Sequence, residues 1–215
     1  VSILMVWAIA HGYSPAEPAS SVSATRPATS TAPACRPTSA PFDTPGTDVV
    51  RLAVEGRPQP ALCWIQRPAG YAKGQRPPLI VFLHGTDDTA QQMIGFWQAR
   101  RLRIPAVLVA PQGLGKGWSS DDVPTIRKLF DYLPAHVWYD SRRVLLAGFS
   151  AGGAMTFQMI YKEKVPVTAA VCLANYVPPR LAAADIRDRR QLPVFYAVGM
   201  ADVNHELMRT GLEFL

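Results

Sequence analysis

The sequence predicts an α/β fold, in which helices cover both faces of a mostly parallel sheet. Short apolar runs of strand length alternate with segments of helical periodicity from residue 46 onward. Several runs are apolar throughout, as strands buried on both faces are, and they end in turns that contain glycine or proline. The chain has 215 residues, of which 48% are hydrophobic and 18% charged, so it holds enough apolar material for one sizeable core.

The predicted elements follow one another in a regular order. Residues 49–54 and 61–66 are expected to pair as a hairpin across a turn with proline and glycine. Further strands are predicted at residues 79–83, 106–110, 144–147, 169–174 and 194–199. Helices are predicted at residues 89–101, 123–136 and 154–160, and again from about residue 203. The helix at 123–136 is expected to be capped by Ser120, Asp121 or Asp122.

The turn after the strand at 144–147 has the sequence G-F-S-A-G-G at residues 148–153. A strand, G-x-S-x-G and a helix are together the sequence form of a nucleophile elbow. Such a turn holds Ser150 in a strained backbone conformation at the carboxyl end of the sheet, with its hydroxyl free. Gly148 and Gly152 must be small because the strand and the helix pass close to each other there. The alternative is a glycine-rich turn with an idle serine.

The loop after the strand at 79–83 is the second part of the candidate site. Hydrolases with this elbow hold the oxyanion with two backbone N–H groups, one of which belongs to the residue after the nucleophile. The candidates in this chain are Ala151 and, in the loop, Thr86. His84 is expected to brace the loop rather than act as a base. Asp87 and Asp88 are predicted to be loop and cap residues before the next helix.

The strand at 194–199 leads into a turn that carries an acid. The nucleophile precedes the acid in this fold, so Asp202 is the candidate that orients a histidine. The alternative for Asp202 is an N-cap of the helix that follows. His205 is the only histidine after Ser150, but it lies at the start of that helix, which makes it an unusual base. We expect the sequence to be a fragment, with the last strand, its loop and the triad histidine beyond residue 215.

The amino-terminal part of the chain predicts export. Residues 1–13 resemble a signal peptide, since a short apolar run ends in Ala-x-Ala and is too short to span a bilayer. Residues 14–45 are rich in proline, alanine, serine and threonine, which is typical of a disordered linker. Residues 46–215 are the predicted catalytic domain, incomplete at its carboxyl end. The protein is therefore expected to be secreted or extracytoplasmic, without stable membrane insertion.

Charge and cysteine content limit the partners. The net charge is +6, but the arginines are dispersed and not interleaved with aromatics, so nucleic acid is not expected as a partner. In an exported protein Cys35 and Cys63 could pair, while Cys172 lies in an apolar strand and is expected to be buried. Neither a C-x-x-C motif nor a histidine cluster indicates a metal, and no cofactor is predicted.

The motifs support a family resemblance. They are, in chain order, Leu83-His84-Gly85, Ala110-Pro111-Gln112-Gly113, Trp118, Asp121-Asp122-Val123, Tyr139-Asp140-x-x-Arg143-Val144 and Gly148-x-Ser150-x-Gly152-Gly153. From about residue 49 to residue 215 the chain resembles the secreted polyhydroxybutyrate depolymerase and feruloyl esterase group of α/β hydrolases. The resemblance implies an α/β-hydrolase fold, here with the last strand and its loop missing. It also implies Ser150 as the nucleophile, Asp202 as the triad acid, and N–H donors at Thr86 and Ala151.

The predicted function is a serine hydrolase that cleaves carboxylic esters through an acyl-enzyme. The substrate would be a small or polymeric ester, such as a polyhydroxyalkanoate, feruloyl or acetyl ester. Trp118 could line the acyl or aromatic pocket, or it could lie in the core. Three residues of the helix at 89–101 are expected to face inward, namely Met93, Phe96 and Trp97. The alternatives are a serine peptidase of the same fold, a polymer- or carbohydrate-binding remnant, and an inactive fragment that lacks the triad histidine.

Overall fold

The computed structural model of the protein describes residues 46–99, 104–178, 181, 183–188, 191–202 and 205–212. The segments predicted as a signal peptide (1–13) and a linker (14–45) lie outside these residues, so both stay predictions. The described residues contain a seven-stranded sheet with the order β1-β2-β4-β3-β5-β6-β7. Its strands are β1 Gly46–Leu52, β2 Ala61–Arg67, β3 Leu79–Leu83, β4 Val107–Pro111, β5 Val144–Phe149, β6 Ala169–Leu173 and β7 Val194–Ala197.

The pairing of the strands confirms the mostly parallel sheet. β1 and β2 form the predicted antiparallel hairpin, and β2 also runs antiparallel to β4. The pairs β3–β4, β3–β5, β5–β6 and β6–β7 are parallel. In the centre of the sheet Val81 lies between Val109 on β4 and Leu146 on β5. Because neighbouring parallel strands end at the same edge, the loops after β3, β4, β5, β6 and β7 meet there.

Helices cover both faces of the sheet, as predicted. They are α1 Ala90–Ala99, α2 Val123–His136, α3 Ala151–Phe157, α4 Ala183–Arg187 and α5 His205–Leu212. A π-helical turn, Gln158–Lys162, continues α3. Alternate residues of β3 enter two separate hydrophobic clusters: Val81 belongs to the cluster that contains Leu129 of α2, and Ile80 belongs to the cluster that contains Ile94 of α1. The apolar character of the whole strand is therefore explained by burial on both sides.

The predicted cap of α1 is wrong, and the predicted cap of α2 is correct in position only. Thr89, not Asp87 or Asp88, caps α1: the Gln92 N–H donates to Thr89 Oγ1 (3.2 Å) and the Thr89 N–H donates to Gln92 Oε1 (2.8 Å). A short 3₁₀ turn, Ser120–Asp122, precedes α2, and Ser119 caps that turn through the Asp121 N–H. Asp122, one of the three predicted candidates, occupies the N-cap position of α2, but its side chain makes no cap hydrogen bond to that helix.

The inward face of α1 is narrower than predicted. Met93 and Trp97 pack against the second cluster, where Trp97 stacks on Phe82 with 4.6 Å between ring centroids. Phe96 is 44% exposed and makes an edge-on contact with the Trp97 ring. A helix presents one stripe to a sheet, and Phe96 lies at the side of that stripe.

The two cysteines that the structure describes are free thiols in the core. Cys63 on β2 and Cys172 on β6 are both 0% exposed. Burial raises the pKa of both thiols, because it disfavours the charged thiolate. The prediction that Cys172 is a buried small hydrophobe is thus confirmed. Cys35, the proposed partner of Cys63, lies outside the described residues.

The Asp140-x-x-Arg143 motif links the segment before β5 to the segment before β3. Asp140 accepts a hydrogen bond from Arg143 Nε (2.9 Å) and one from the Arg142 N–H (2.9 Å). Arg143 in turn donates to the Arg76 carbonyl (3.0 Å) ahead of β3. Burial works to raise the pKa of Asp140, but the hydrogen bonds from Arg142 and Arg143 and the Arg143 charge together lower the pKa below its usual value.

Asp140→Asn is expected to be less stable than the wild type at neutral pH, and this deficit should become smaller in acid. The folded state lowers the carboxyl pKa below its unfolded value of about 4. Its contribution is therefore complete above that value and disappears as the pH falls through the folded pKa. Urea unfolding midpoints at about pH 7 and about pH 3 measure the difference. Asp131→Asn, at an exposed aspartate of α2, is the control. If Asp140→Asn lowers the free energy of unfolding equally at both pH values, the Asp140 carboxyl does not have a lowered pKa in the folded protein.

Candidate active site

Ser150 occupies a sharp turn between β5 and α3. Its φ of 53° and ψ of −118° lie in a region that residues with a side chain rarely adopt, which confirms the predicted backbone strain. The Ser150 N–H donates to the Leu173 carbonyl at the end of β6 (2.8 Å). The Ser150 carbonyl accepts from the N–H groups of Gly153 (2.9 Å) and Ala154 (3.2 Å). The neighbouring strand and the first turn of α3 therefore hold the strained conformation in place.

The glycines on both sides of Ser150 are required by close packing, as predicted. A Cβ at Gly148 would collide with the carbonyl of Gly152 and lie 2.5 Å from Thr156 Oγ1. A Cβ at Gly152 would collide with the Leu83 carbonyl at the end of β3. The start of α3 thus rests directly on the ends of two strands, and only glycine fits at these contacts.

The Ser150 side chain is not used to cap α3, the helix that follows it. The residue is half-buried, and the side chain of Phe149 beside it is 44% exposed. A hydroxyl that is not used to cap the helix can approach a bound carbonyl group.

Thr86 and Ala151 border the same small space beside the turn. Ala151 is the first residue of α3, so its N–H points out of the helix without an intrahelical acceptor. A Cβ at Gly117 would be 3.3 Å from Thr86 Oγ1 and 3.5 Å from Ala151 Cβ, so all three residues border one small space. In the same loop, the Asp87 N–H donates to the Lys116 carbonyl (2.6 Å). The two predicted oxyanion donors are therefore brought together with Ser150.

His84 braces the loop that carries Thr86, as predicted. Its ring is 0% exposed, with Nδ1 2.8 Å from the Gly85 carbonyl and Nε2 3.0 Å from the Gly113 nitrogen. A carbonyl accepts and a backbone N–H donates, so we assign the proton to Nδ1 and an acceptor lone pair to Nε2. The imidazole consequently joins the loop after β3 to the loop after β4.

Gln112 extends this buried network, and the sequence predicted no role for it. Its Oε1 accepts from the Ala90 N–H at the start of α1 (2.9 Å), and its Nε2 lies 3.2 Å from His84 Nε2. The P-Q-G sequence after β4 was the available signal, because a glutamine amide can bind a donor and an acceptor at once. The start of α1 is thereby held to both loops.

Trp118 packs beside His84. Its indole N–H donates to the His84 carbonyl (2.8 Å), and the centroids of the two rings are 4.8 Å apart. The side chain is half-buried and packs against the larger hydrophobic cluster. Trp118 thus forms part of the wall between the loop after β4 and the core, and a role in binding an acyl group stays a prediction.

Asp202 lies on the turn between β7 and α5, at the same edge of the sheet as Ser150. Its N–H donates to the Gly199 carbonyl (3.0 Å), and its carbonyl accepts from the His205 N–H (3.0 Å). His205 is the first residue of α5, and its Nδ1 is 3.6 Å from Glu206 Oε1. The backbone of Asp202 thus forms the turn that leads into α5. The roles of triad acid for Asp202 and of base for His205 remain untested predictions.

Two features are absent from the part of the chain that the structure describes. Within that part, His, Cys, Asp and Glu side chains form no group of three or more that could hold a metal ion. None of the helices in this part of the chain has the length and apolar character to cross a bilayer.

Comparison with known sequences connects the chain to one esterase. No family model matches the chain. A bifunctional acetylxylan esterase/xylanase of Neocallimastix patriciarum is 28% identical over 133 residues, which cover 58% of this chain. The match spans only 19% of that protein, so the chain corresponds to about a fifth of its curated relative.

Comparison with solved structures establishes the fold. An S-formylglutathione hydrolase from Staphylococcus aureus superposes with a TM-score of 0.63 over 80% of this chain and 84% of its own, at 13% identity. A feruloyl esterase module from Clostridium thermocellum, complexed with sinapinate, has a TM-score of 0.57 over 93% of this chain and 81% of its own, at 14% identity. The chain has the α/β-hydrolase fold, as the sequence predicted.

Proposed function

We propose that this α/β-hydrolase domain is a serine hydrolase of carboxylic esters. Ser150 is the nucleophile, and the N–H groups of Thr86 and Ala151 bind the oxyanion. The observation that carries the proposal is the strained backbone of Ser150, whose φ is 53°, directly before the first N–H of α3. Such strain costs about 1–3 kcal/mol, so a turn that keeps it is best explained by a hydroxyl that must be presented in one position.

The proposed reaction has two acyl-transfer steps. Ser150 Oγ attacks the ester carbonyl carbon and loses its proton to a histidine that Asp202 orients; the alkoxide leaving group takes that proton and departs as the alcohol. The same histidine then takes a proton from a water molecule, which attacks the acyl carbon. The bond between that carbon and Ser150 Oγ breaks, the serine oxygen regains the proton from the histidine, and the carboxylic acid is released. In each step the carbonyl oxygen becomes negative, and each fixed N–H donor contributes about 3 kcal/mol of transition-state stabilisation.

The proposed substrates are acetyl, feruloyl or hydroxyalkanoate esters. The sequence relative is named as an acetylxylan esterase and a structural neighbour as a feruloyl esterase, so both acyl groups are reasonable probes. The exposed ring of Phe149 beside Ser150 adds an apolar surface where an acyl chain or aromatic ring could bind. We also propose that the protein is secreted, because residues 1–13 resemble a signal peptide.

Parallel assays of an ester and an amide test the proposed function. We expect the full-length protein to turn over p-nitrophenyl acetate, methyl ferulate or both, with negligible turnover of a peptide p-nitroanilide. A fluorophosphonate should label Ser150 in the same preparation. If only the anilide is cleaved, the protein is a serine peptidase and not an esterase. If neither substrate is cleaved and Ser150 is not labelled, the non-catalytic alternative is correct.

A further inference from the structure

We propose that Asp122 is a positioning residue for the oxyanion site, which it holds in place through the loop at residues 113–119. The inference rests on the proposed function, because it assigns the purpose of the loop to the N–H donors of Thr86 and Ala151. Asp122 itself is 1% exposed, and every contact described below is with the loop or with Arg57. It therefore acts through the loop and not on the substrate.

The Asp122 carboxylate joins the two ends of this loop. Its Oδ1 accepts from the Leu114 N–H (2.9 Å), and its Oδ2 accepts from the Ser119 N–H (3.0 Å). The Ser119 hydroxyl lies 3.4 Å from the same Oδ2. One buried side chain thus closes the four intervening residues 115–118, two of which are glycine, into a compact turn. Charged acceptors make the stronger hydrogen bonds of this kind.

Arg57 fixes the carboxylate from the opposite side. It comes from the turn between β1 and β2, and its Nη2 donates to the Asp121 carbonyl (2.5 Å) and lies 3.5 Å from Asp122 Oδ1. The Arg57 side chain is 10% exposed and the Asp122 side chain 1%. The loop is therefore attached to the antiparallel hairpin as well as to the start of α2.

The loop held by Asp122 contacts the oxyanion site at three successive residues. The Lys116 carbonyl accepts the Asp87 N–H next to Thr86 (2.6 Å). Gly117 borders the space between Thr86 and Ala151, and the Trp118 indole N–H donates to the His84 carbonyl (2.8 Å). A shift of the loop would therefore move the backbone of Thr86. Misplacement of a catalytic group by about 1 Å can cost about a hundredfold in rate.

The test compares Asp122→Asn with Asp121→Asn. Both carboxylate oxygens of Asp122 accept from backbone N–H groups, so an asparagine must turn its NH₂ toward one of these donors in either orientation. Asp121 is its exposed neighbour, and removal of its charge leaves these hydrogen bonds intact. We expect Asp122→Asn to lower kcat for p-nitrophenyl acetate by about ten- to a hundredfold, with KM within about twofold. Asp121→Asn should match the wild type.

Two readouts separate positioning from simple loss of folded protein. The kcat is expressed per site that a fluorophosphonate labels, so unfolded molecules do not count. Hydrogen exchange should become faster at the Leu114 and Ser119 amides and also at the Asp87 amide, which belongs to the oxyanion loop. If exchange at Asp87 does not change, or if kcat per labelled site equals that of Asp121→Asn, Asp122 only stabilises its own loop and the inference is wrong.

Gly117→Ala provides an independent test in case Asp122→Asn does not fold. The added methyl group fits with a small movement of Thr86 Oγ1, but it fills the space that Thr86 and Ala151 border. We expect kcat/KM to fall at least about tenfold with little change in thermal stability. Full activity of Gly117→Ala would show that the loop does not form part of the oxyanion site. If the wild-type protein neither cleaves esters nor reacts with the fluorophosphonate, the proposed function is wrong. The hydrogen-exchange data would then still show whether Asp122 holds the loop against Asp87.

Discussion

Ser150→Ala is expected to lower ester hydrolysis at least about a thousandfold and to abolish labelling by a fluorophosphonate. The hydroxyl is the only group lost, and no acyl-enzyme can form without it. Alanine has the same Cβ as serine, so the strain at a φ of 53° is unchanged and the turn should persist. Initial rates with p-nitrophenyl acetate and the thermal unfolding temperature measure both parts of the expectation.

Ser141→Ala is the matched control for this substitution. Ser141 is exposed in the turn before β5, so its replacement should leave both the rate and the unfolding temperature unchanged. If Ser150→Ala retained more than about a tenth of the wild-type rate, the nucleophile would be another residue. The proposed mechanism would then be wrong, although the fold would not be in question.

Gly152→Ala is expected to destabilise the protein by at least about 3 kcal/mol. Its Cβ would collide with the Leu83 carbonyl and lie 2.6 Å from the His84 carbonyl. These acceptors belong to the backbone of β3 and the loop that follows it, so they cannot rotate away as a flexible side chain could. The helix α3 would have to move off the sheet, and both urea unfolding and fluorophosphonate labelling should report that movement.

Gly95→Ala is the control for a methyl group added to a helical glycine. Gly95 lies on α1 with no atom within 4 Å of its would-be Cβ. Alanine favours the helix over glycine by about 1 kcal/mol, so this variant should be slightly more stable than the wild type. Equal stability of Gly152→Ala and the wild type would mean that α3 does not pack so closely on β3.

Features that depend on neighbouring residues were predicted well. The limits of β3 were predicted without error, because a strand buried on both faces is apolar at every position. The turn at Ser150 was predicted for a related reason: the glycine spacing reflects collisions within a few residues, such as Gly148 against Gly152. Helix caps were predicted less well, since several adjacent polar residues before α1 and α2 can each supply a capping oxygen.

Contacts between segments that are far apart in the chain could not be predicted, because they produce no local sequence pattern. The clearest case is Asp122, which the sequence offered as one of three possible helix caps. Its carboxylate instead binds the loop at 113–119 and meets Arg57, which is 65 positions away along the chain. Similarly, the sequence indicated that His84 braces its loop but not that Gly113 and Gln112 would be its partners.

The sequence by itself determined the succession of strands and helices along the chain, the α/β class and the turn that presents Ser150, because each follows from burial or steric contact over a short stretch. The tertiary structure decided which donors meet at that turn and what holds them. Thr86 and Ala151 become neighbours only because β3 and β5 pair in parallel and end at one edge. A hydrogen bond between loops depends on that pairing, so its partners are defined only when the sheet has assembled.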